Sequence, residues 1–229
     1  MTRRSSLPSP VARSSGQSVQ WLLKNLRVTE KVAKVAGLRH VSDSEARAVL
    51  GLKKGVSLCQ RDYSGIAFPG FDLDGTAHGI YQVRRDHPEV DADGKPENKY
   101  LNHAGSDDRY LYCLPMKKQG ATVVLVESPK SVLAIESYAE RTERNLQAIA
   151  TNGCNGWKRR VSDEVSVPLD DLNRLAGREV IINFDSNVAT NPAVEQAEKE
   201  LGAHLLTKVG REVGAVREAP VGRRSQRAG

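Results

Sequence analysis

The sequence predicts an α/β protein: a mainly parallel sheet flanked by helices, preceded by a small antiparallel β-rich subdomain and a short N-terminal helical unit. Three observations carry this. Two apolar, β-branched runs, at 121–126 and 180–184, each stop at a carboxylate, Glu127 and Asp185. Buried strands that deliver an acid to the carboxyl edge of a sheet look like this. Each run is followed by a polar residue and a proline, Ser128-Pro129 and Asn191-Pro192, the pairing of N-cap and first-turn proline that opens a helix. Upstream, from 65 to 114, the chain alternates in short runs broken by Gly, Pro and Asp, the texture of hairpins.

In chain order, residues 1–16 read as a disordered basic lead, with three arginines and no acid. Residues 17–60 form a helical unit. Trp21, Leu22 and Leu26, then Val32, Val35 and Ala36, then Ala46, Val49 and Leu50 recur at helical spacing, with Gly37 and Gly51 as stops and Ser42 or Asp43 as an N-cap. The β-rich subdomain spans 61–118. Its runs are GIAFPGF, AHGIYQVR, KYLN and RYLYCL, with a polar surface insert, DHPEVDADGKPEN. Asp74-Gly75 between apolar runs marks a hairpin turn. Arg84, Arg85, Lys95 and Lys99 accompany Tyr81 and Tyr100, a mixture that suits a nucleic-acid strand. Asp86, Glu89, Asp91, Asp93 and Glu97 in the same stretch oppose it.

The α/β domain spans 119–218. Strand TVVLV leads to Glu127, and a helix from 129 to about 144 presents Val132, Leu133, Ile135, Tyr138 and Ala139. Strand LQAIA runs into TNGCNGWKRR, whose small and amide residues mark a tight loop at the same sheet edge. Helix-like DLNRLAG stops at Gly177, and strand EVIINF ends at Asp185. A helix from 192 to about 206 presents Val194, Ala197, Leu201 and Leu205; Gly210 ends it, and REVGAV is a last strand. Alternating strands and helices place sites at the carboxyl ends of the strands. Residues 219–229 are a disordered basic tail.

The 229 residues are 39% apolar, enough for one large domain or two small ones. No apolar run approaches the roughly 18 residues of a membrane span, and the N-terminus lacks the apolar centre of a secretion signal. A cytoplasmic protein without a membrane partner is expected. Cys59, Cys113 and Cys154 form no C-x-x-C pair, so neither a disulfide framework nor a zinc ribbon is indicated. The net charge of +6 sits at the ends, since residues 208–229 add six Lys/Arg against two Glu. Such tails can contact phosphates without sequence preference.

FDLDGT at 71–76 matches the nucleophile motif of haloacid-dehalogenase-type phosphatases, with Asp72 as nucleophile. That chemistry needs a buried strand leading straight into the motif. Pro69-Gly70 precedes it instead, and a proline-interrupted run favours a hairpin. A phosphatase is therefore the distant alternative.

Taken together, GIAFPGFDLDGTAHGIYQVR, KYLN at 99–102, VLVESPKS and INFDSNVATNP resemble the catalytic core of DnaG-type bacterial primases. The resemblance is closer to a family of Toprim-like domains of unknown function, found in phage, plasmid and mobile-element replication proteins. It covers about residues 20–218. The Toprim pattern implies a glutamate after the first strand and an Asp-x-Asp after the third, together holding Mg²⁺ or Mn²⁺. Glu127 and Asp185 match; Asn187 stands where the second Asp belongs, and Ser131 where primases often carry a further acid. The implied metal ligands are Glu127, Asp185 and Asn187, with weakened affinity, and Lys130 joins Glu127 and Asp185 as a catalytic candidate. Arg84 and Lys99, as primase-like basic positions, are implied to bind nucleic acid or nucleotide, with Asn152 and Trp157 bordering the site.

The resemblance implies a primase-like, Mg²⁺-dependent enzyme of nucleotidyl or phosphoryl transfer in mobile-element DNA replication. Its partners would be single-stranded DNA or a primer-template, and a helicase or other replication protein. The alternative is a catalytically degraded module of the same fold that binds single-stranded nucleic acid or a replication partner.

Overall fold

The structure, a computed structural model, describes residues 15–52, 61–94, 96–102, 111–116, 118, 120–184, 191–209 and 217–218. The N-terminal unit contains α1 (Ser15–Asn25), α2 (Glu30–Ala36), β1 (Arg39–Val41) and α3 (Asp43–Val49). Helix α2 ends at Gly37, whose φ of 58° is the left-handed conformation glycine adopts without strain. Helix α3 opens with a full capping box between Ser42 and Glu45. The sequence reads as helical throughout this region, yet Arg39–Val41 is extended and pairs antiparallel with the next strand, burying Val41. A three-residue strand with one buried position is too short to show a period of its own.

β1 joins β2 (Gly65–Phe71), β3 (Ala77–Arg85) and β4 (Tyr100–Asn102) in an antiparallel sheet of order β1-β2-β3-β4. The β2–β3 register slips at Phe68/Pro69, where the proline sits. The expected hairpin turn is present. Gly75 N–H donates to the Asp72 carbonyl at 2.9 Å, and Asp72 Oδ1 accepts the amides of Asp74 and Thr76 at 2.8 and 3.1 Å. An Asp72 carboxylate committed to its own turn, on an antiparallel hairpin, lacks the setting the phosphatase alternative requires.

The second sheet is mixed, with order β11-β10-β6-β7-β5. β6 (Thr122–Val126), β7 (Leu146–Ala150), β10 (Val180–Ile182) and β11 (Arg217–Glu218) are parallel, whereas β5 (Tyr112–Cys113) runs antiparallel to β7. REVGAV at 211–216, like Gly210, Lys95 and Cys59, lies outside the described residues. A ribbon of β8 (Lys158–Arg160) and β9 (Ser166–Pro168) and a 3₁₀ turn (Asp170–Leu175) connect β7 to β10. Helix α4 (Pro129–Arg141) follows β6, and α5 (Pro192–His204) precedes a π turn at Leu205–Val209. Asn191 caps α5 as expected, accepting from Ala193 N–H at 3.1 Å.

Both faces of the mixed sheet are covered. One carries Val123, Leu125, Ile149, Val180 and Ile182 under α5 and the 3₁₀ turn. The other carries Val124, Val126, Ala148 and Ala150, meeting α1, α2, α4 and the Ile66/Phe68 face of the antiparallel sheet. α3 covers that sheet's outer face through Val41, Ala46, Leu50, Ala67 and Val83. On α4, Tyr138 is 41% exposed, against expectation, while Glu136 is buried. Lys118 Nζ meets Glu136 Oε2 at 2.5 Å and Ala148 N–H donates to its Oε1 at 2.7 Å, so the acid is satisfied inside. Among the described residues no helix is long and apolar enough to cross a membrane.

Candidate functional site

The site is built at the carboxyl edge of the mixed sheet. Parallel pairing sets Ile182 opposite Leu125, and Asn183 N–H donates to the Leu125 carbonyl at 2.8 Å. The chain therefore leaves β10 beside the place where β6 hands over to Glu127. Asp185 and Asn187 follow within three residues of Phe184 in sequence and lie outside the described residues. Glu127 is partly buried, and its carbonyl accepts Gly153 N–H at 2.7 Å. Ser128 occupies the N-cap position of α4, yet its hydroxyl makes no capping bond; Ser128 Oγ lies 3.0 Å from Ser131 Oγ instead. Burial, then the Glu127 charge, push the nearby Cys154 thiol up. Among the described residues no group of three or more His, Cys, Asp or Glu could hold a metal ion.

Lys130 stands in the first turn of α4 at this edge, and its charge reaches Lys99, before β4, together with that of Arg84 on β3. Burial pushes the Lys99 amine down first, and the charges of Arg84 and Lys130 push it further. Among the described residues no carboxylate pairs with any of the three. The Arg84 guanidinium lies 5.9 Å from the ring centroid of Trp21, and Lys99 Nζ lies 5.9 Å from that of Tyr100. The strand period explains the choice of arginine. Arg84 is opposite Ile66 and Tyr100 on the face toward the mixed sheet, whereas Arg85 points the other way. Arg85 is buried against Asp62, Glu89 and the Tyr63 ring.

Asn152 follows β7 at φ 59°, in a loop that folds back on itself. Thr151 N–H donates to the Val126 carbonyl and Gly156 N–H to the Gly153 carbonyl, both at 2.9 Å. Gln82, absent from the sequence-based site, links this loop to the antiparallel sheet. Its Nε2 donates to Asn152 Oδ1 at 2.8 Å and Asn102 Oδ1 at 3.2 Å, and its enclosed Oε1 has no partner among the described residues. The signal was its place two residues before Arg84, hence on the same strand face. Trp157 does not border the site. It is buried among Leu169, Leu172 and Leu175, and Leu169 N–H donates to its carbonyl at 2.9 Å. Lys130 thus follows Glu127 into α4 and acts with Arg84 on Lys99, Gln82 ties Asn152 to the antiparallel sheet, and Trp157 is buried in the core.

No family model and no curated protein sequence matches this chain. Solved structures do. The RNA polymerase domain of Mycobacterium tuberculosis primase DnaG superposes with a TM-score of 0.58 at 18% identity, covering 93% of this chain and 71% of that one. A DnaG catalytic core gives 0.55 at 19% identity, and the E. coli primase catalytic core 0.55 at 17%, each over 92% of this chain and 67% of the other. At these identities the likeness is one of fold: the chain has the architecture of a DnaG primase catalytic core.

Proposed function

We propose that this chain is a primase-like Toprim protein of mobile-element DNA replication, acting by Mg²⁺-dependent nucleotidyl or phosphoryl transfer on nucleic acid. The observation behind this reading is the convergence of Arg84, Lys99 and Lys130, without carboxylate partners among the described residues, with Lys130 in the helix turn that follows Glu127. Holding a partly desolvated lysine between two like charges costs stability, and an anion in the same place relieves that cost. A phosphate of single-stranded DNA or of a primer-template is such an anion.

Glu127, Asp185 and Asn187 are hard oxygen donors of the kind Mg²⁺ or Mn²⁺ takes, and Mg²⁺ uses one or two carboxylates plus substrate phosphates. When bound there, the metal supplies Lewis-acid polarisation of a phosphate. The protein's own groups do the rest. Arg84 and Lys99 hold template or nucleotide phosphates, Lys130 offsets charge developing beside Glu127, and Asn152, held by Gln82, fixes the rim.

Asn187 favours the second reading, a degraded module that binds single-stranded nucleic acid or a replication partner such as a helicase. A unit charge near 4 Å is worth roughly 4 kcal/mol at an effective dielectric of about 20, so losing one acid is a large change against a divalent ion. The two readings separate in one experiment. Mn²⁺ is titrated calorimetrically into wild type, Glu127→Ala, Asp185→Ala and Asn187→Asp, with primer synthesis on single-stranded template run in parallel. Synthesis lost in both alanine variants supports the enzyme. Metal binding that appears with Asn187→Asp alone supports the module.

A further inference from the structure

We infer that Trp21 is a stacking platform for a base of single-stranded nucleic acid whose phosphates lie on Arg84, Lys99 and Lys130. This rests on the nucleic-acid reading above and adds a ligand-contacting residue from the N-terminal unit, outside both sheets. Trp21 projects from α1 and is 51% exposed. The helix does not need it for anchorage, since Leu22 is buried and Val19 and Leu26 pack against the core.

A singly exposed apolar side chain is ordinary, and Val161, Val165 and Leu206 are exposed too. Trp21 differs by location. Arg84 lies 5.9 Å from its ring centroid, and Arg84 is one of the cations that act on Lys99. The indole therefore stands at the margin of a positive cluster lacking carboxylate partners among the described residues. A polyanion that also presents π faces fits both features at once: phosphates meet the cations and a base meets the ring. A protein partner carrying acidic side chains would meet the cations and leave the ring without a flat partner. Because every base has a π face, the contact is indifferent to sequence.

The test uses the full chain, a labelled oligo(dT) and a labelled abasic strand of the same length and charge. Wild type is expected to bind oligo(dT) more tightly. Trp21→Ala should lose about 5- to 150-fold for oligo(dT), the range of base–aromatic stacking. It should leave abasic binding and the salt slope unchanged, and Trp21→Phe should recover most of the affinity. Arg84→Gln/Lys99→Gln should weaken both strands and flatten the salt slope. Trp157, the other tryptophan, is 2% exposed, so quenching of emission by oligo(dT) reports Trp21. Equal losses for both strands in Trp21→Ala would mean that the ring merely positions Arg84. That outcome, or unchanged oligo(dT) affinity, overturns the platform and leaves the nucleic-acid reading standing. Failure of wild type to bind either strand overturns both.

Discussion

Gly153 N–H donates to the carbonyl oxygen of Glu127 at 2.7 Å, so the loop after β7 is tied to the backbone of the acid that ends β6. That loop has no slack. A Cβ built on Gly156 falls 1.6 Å from the Thr151 carbonyl oxygen and 2.6 Å from that of Asn152. Gly156→Ala should therefore force the backbone apart and cost about 1–3 kcal/mol, as overpacking does, measured by urea unfolding. Nucleic-acid affinity should fall with it, because Asn152 and Glu127 shift together.

Lys118 and Glu136 are predicted to behave as a unit. Glu136 is 1% exposed, and Lys118 also donates to the Leu146 carbonyl at 2.6 Å. Lys118→Met leaves a buried charge alone and should cost about 3–5 kcal/mol. Adding Glu136→Gln removes that charge while keeping an acceptor for Ala148 N–H, so the double variant should recover much of the loss. Chemical denaturation of the three proteins checks this.

Acid should undo one contact in a defined window. The Arg85 guanidinium, hydrogen-bonded to Glu89 at 2.5 and 2.8 Å, holds that carboxyl down from 4.5 to about 2. A depressed carboxyl stabilises the fold above its unfolded pKa, and the gain is lost as pH falls toward the folded one. Glu89→Gln should therefore be less stable than wild type at pH 7, with the gap closing between pH 4.5 and about 2. Urea midpoints across that range supply the measurement.

The Lys99 amine should rise when its neighbours are neutralised. Because Arg84 and Lys130 each push it down, Arg84→Gln and Lys130→Gln should each raise it, and the double variant should raise it further. Burial, the larger cause, should keep the amine below its ordinary value in every case. Titration by lysine-selective NMR reads the shift directly.

Much of this arrangement was legible in the sequence, because its signals are local. A β-branched run stopping at Glu127, Pro129 after it, and Asn191-Pro192 before α5 each announce themselves within a few residues. The hairpin at Asp72 was equally legible, since its own side chain closes the turn. What was not legible depends on partners distant in sequence. Glu136 shares the buried stripe of Val132 and Leu133, but a carboxylate reads as solvent-facing until Lys118 and the Ala148 amide supply its partners. Trp157 follows a glycine-rich loop and reads as a loop residue until Leu169 draws it inward. Gln82 is an ordinary polar strand residue until Asn152 arrives from the loop after β7.

β5 has a consequence for how this protein can be taken apart. Tyr112 and Cys113 precede the linker to β6, yet they pair with Ala150 and Ile149, and Cys113 Sγ donates to the Asp72 carbonyl at 2.9 Å. A fragment beginning at residue 119 would leave β7 as a bare sheet edge, with unpaired amides and carbonyls open to strand exchange. A fragment ending there would lose the apolar surface against which Ile66 and Phe68 are packed. The molecule should therefore melt as one cooperative unit, and neither half should fold on its own.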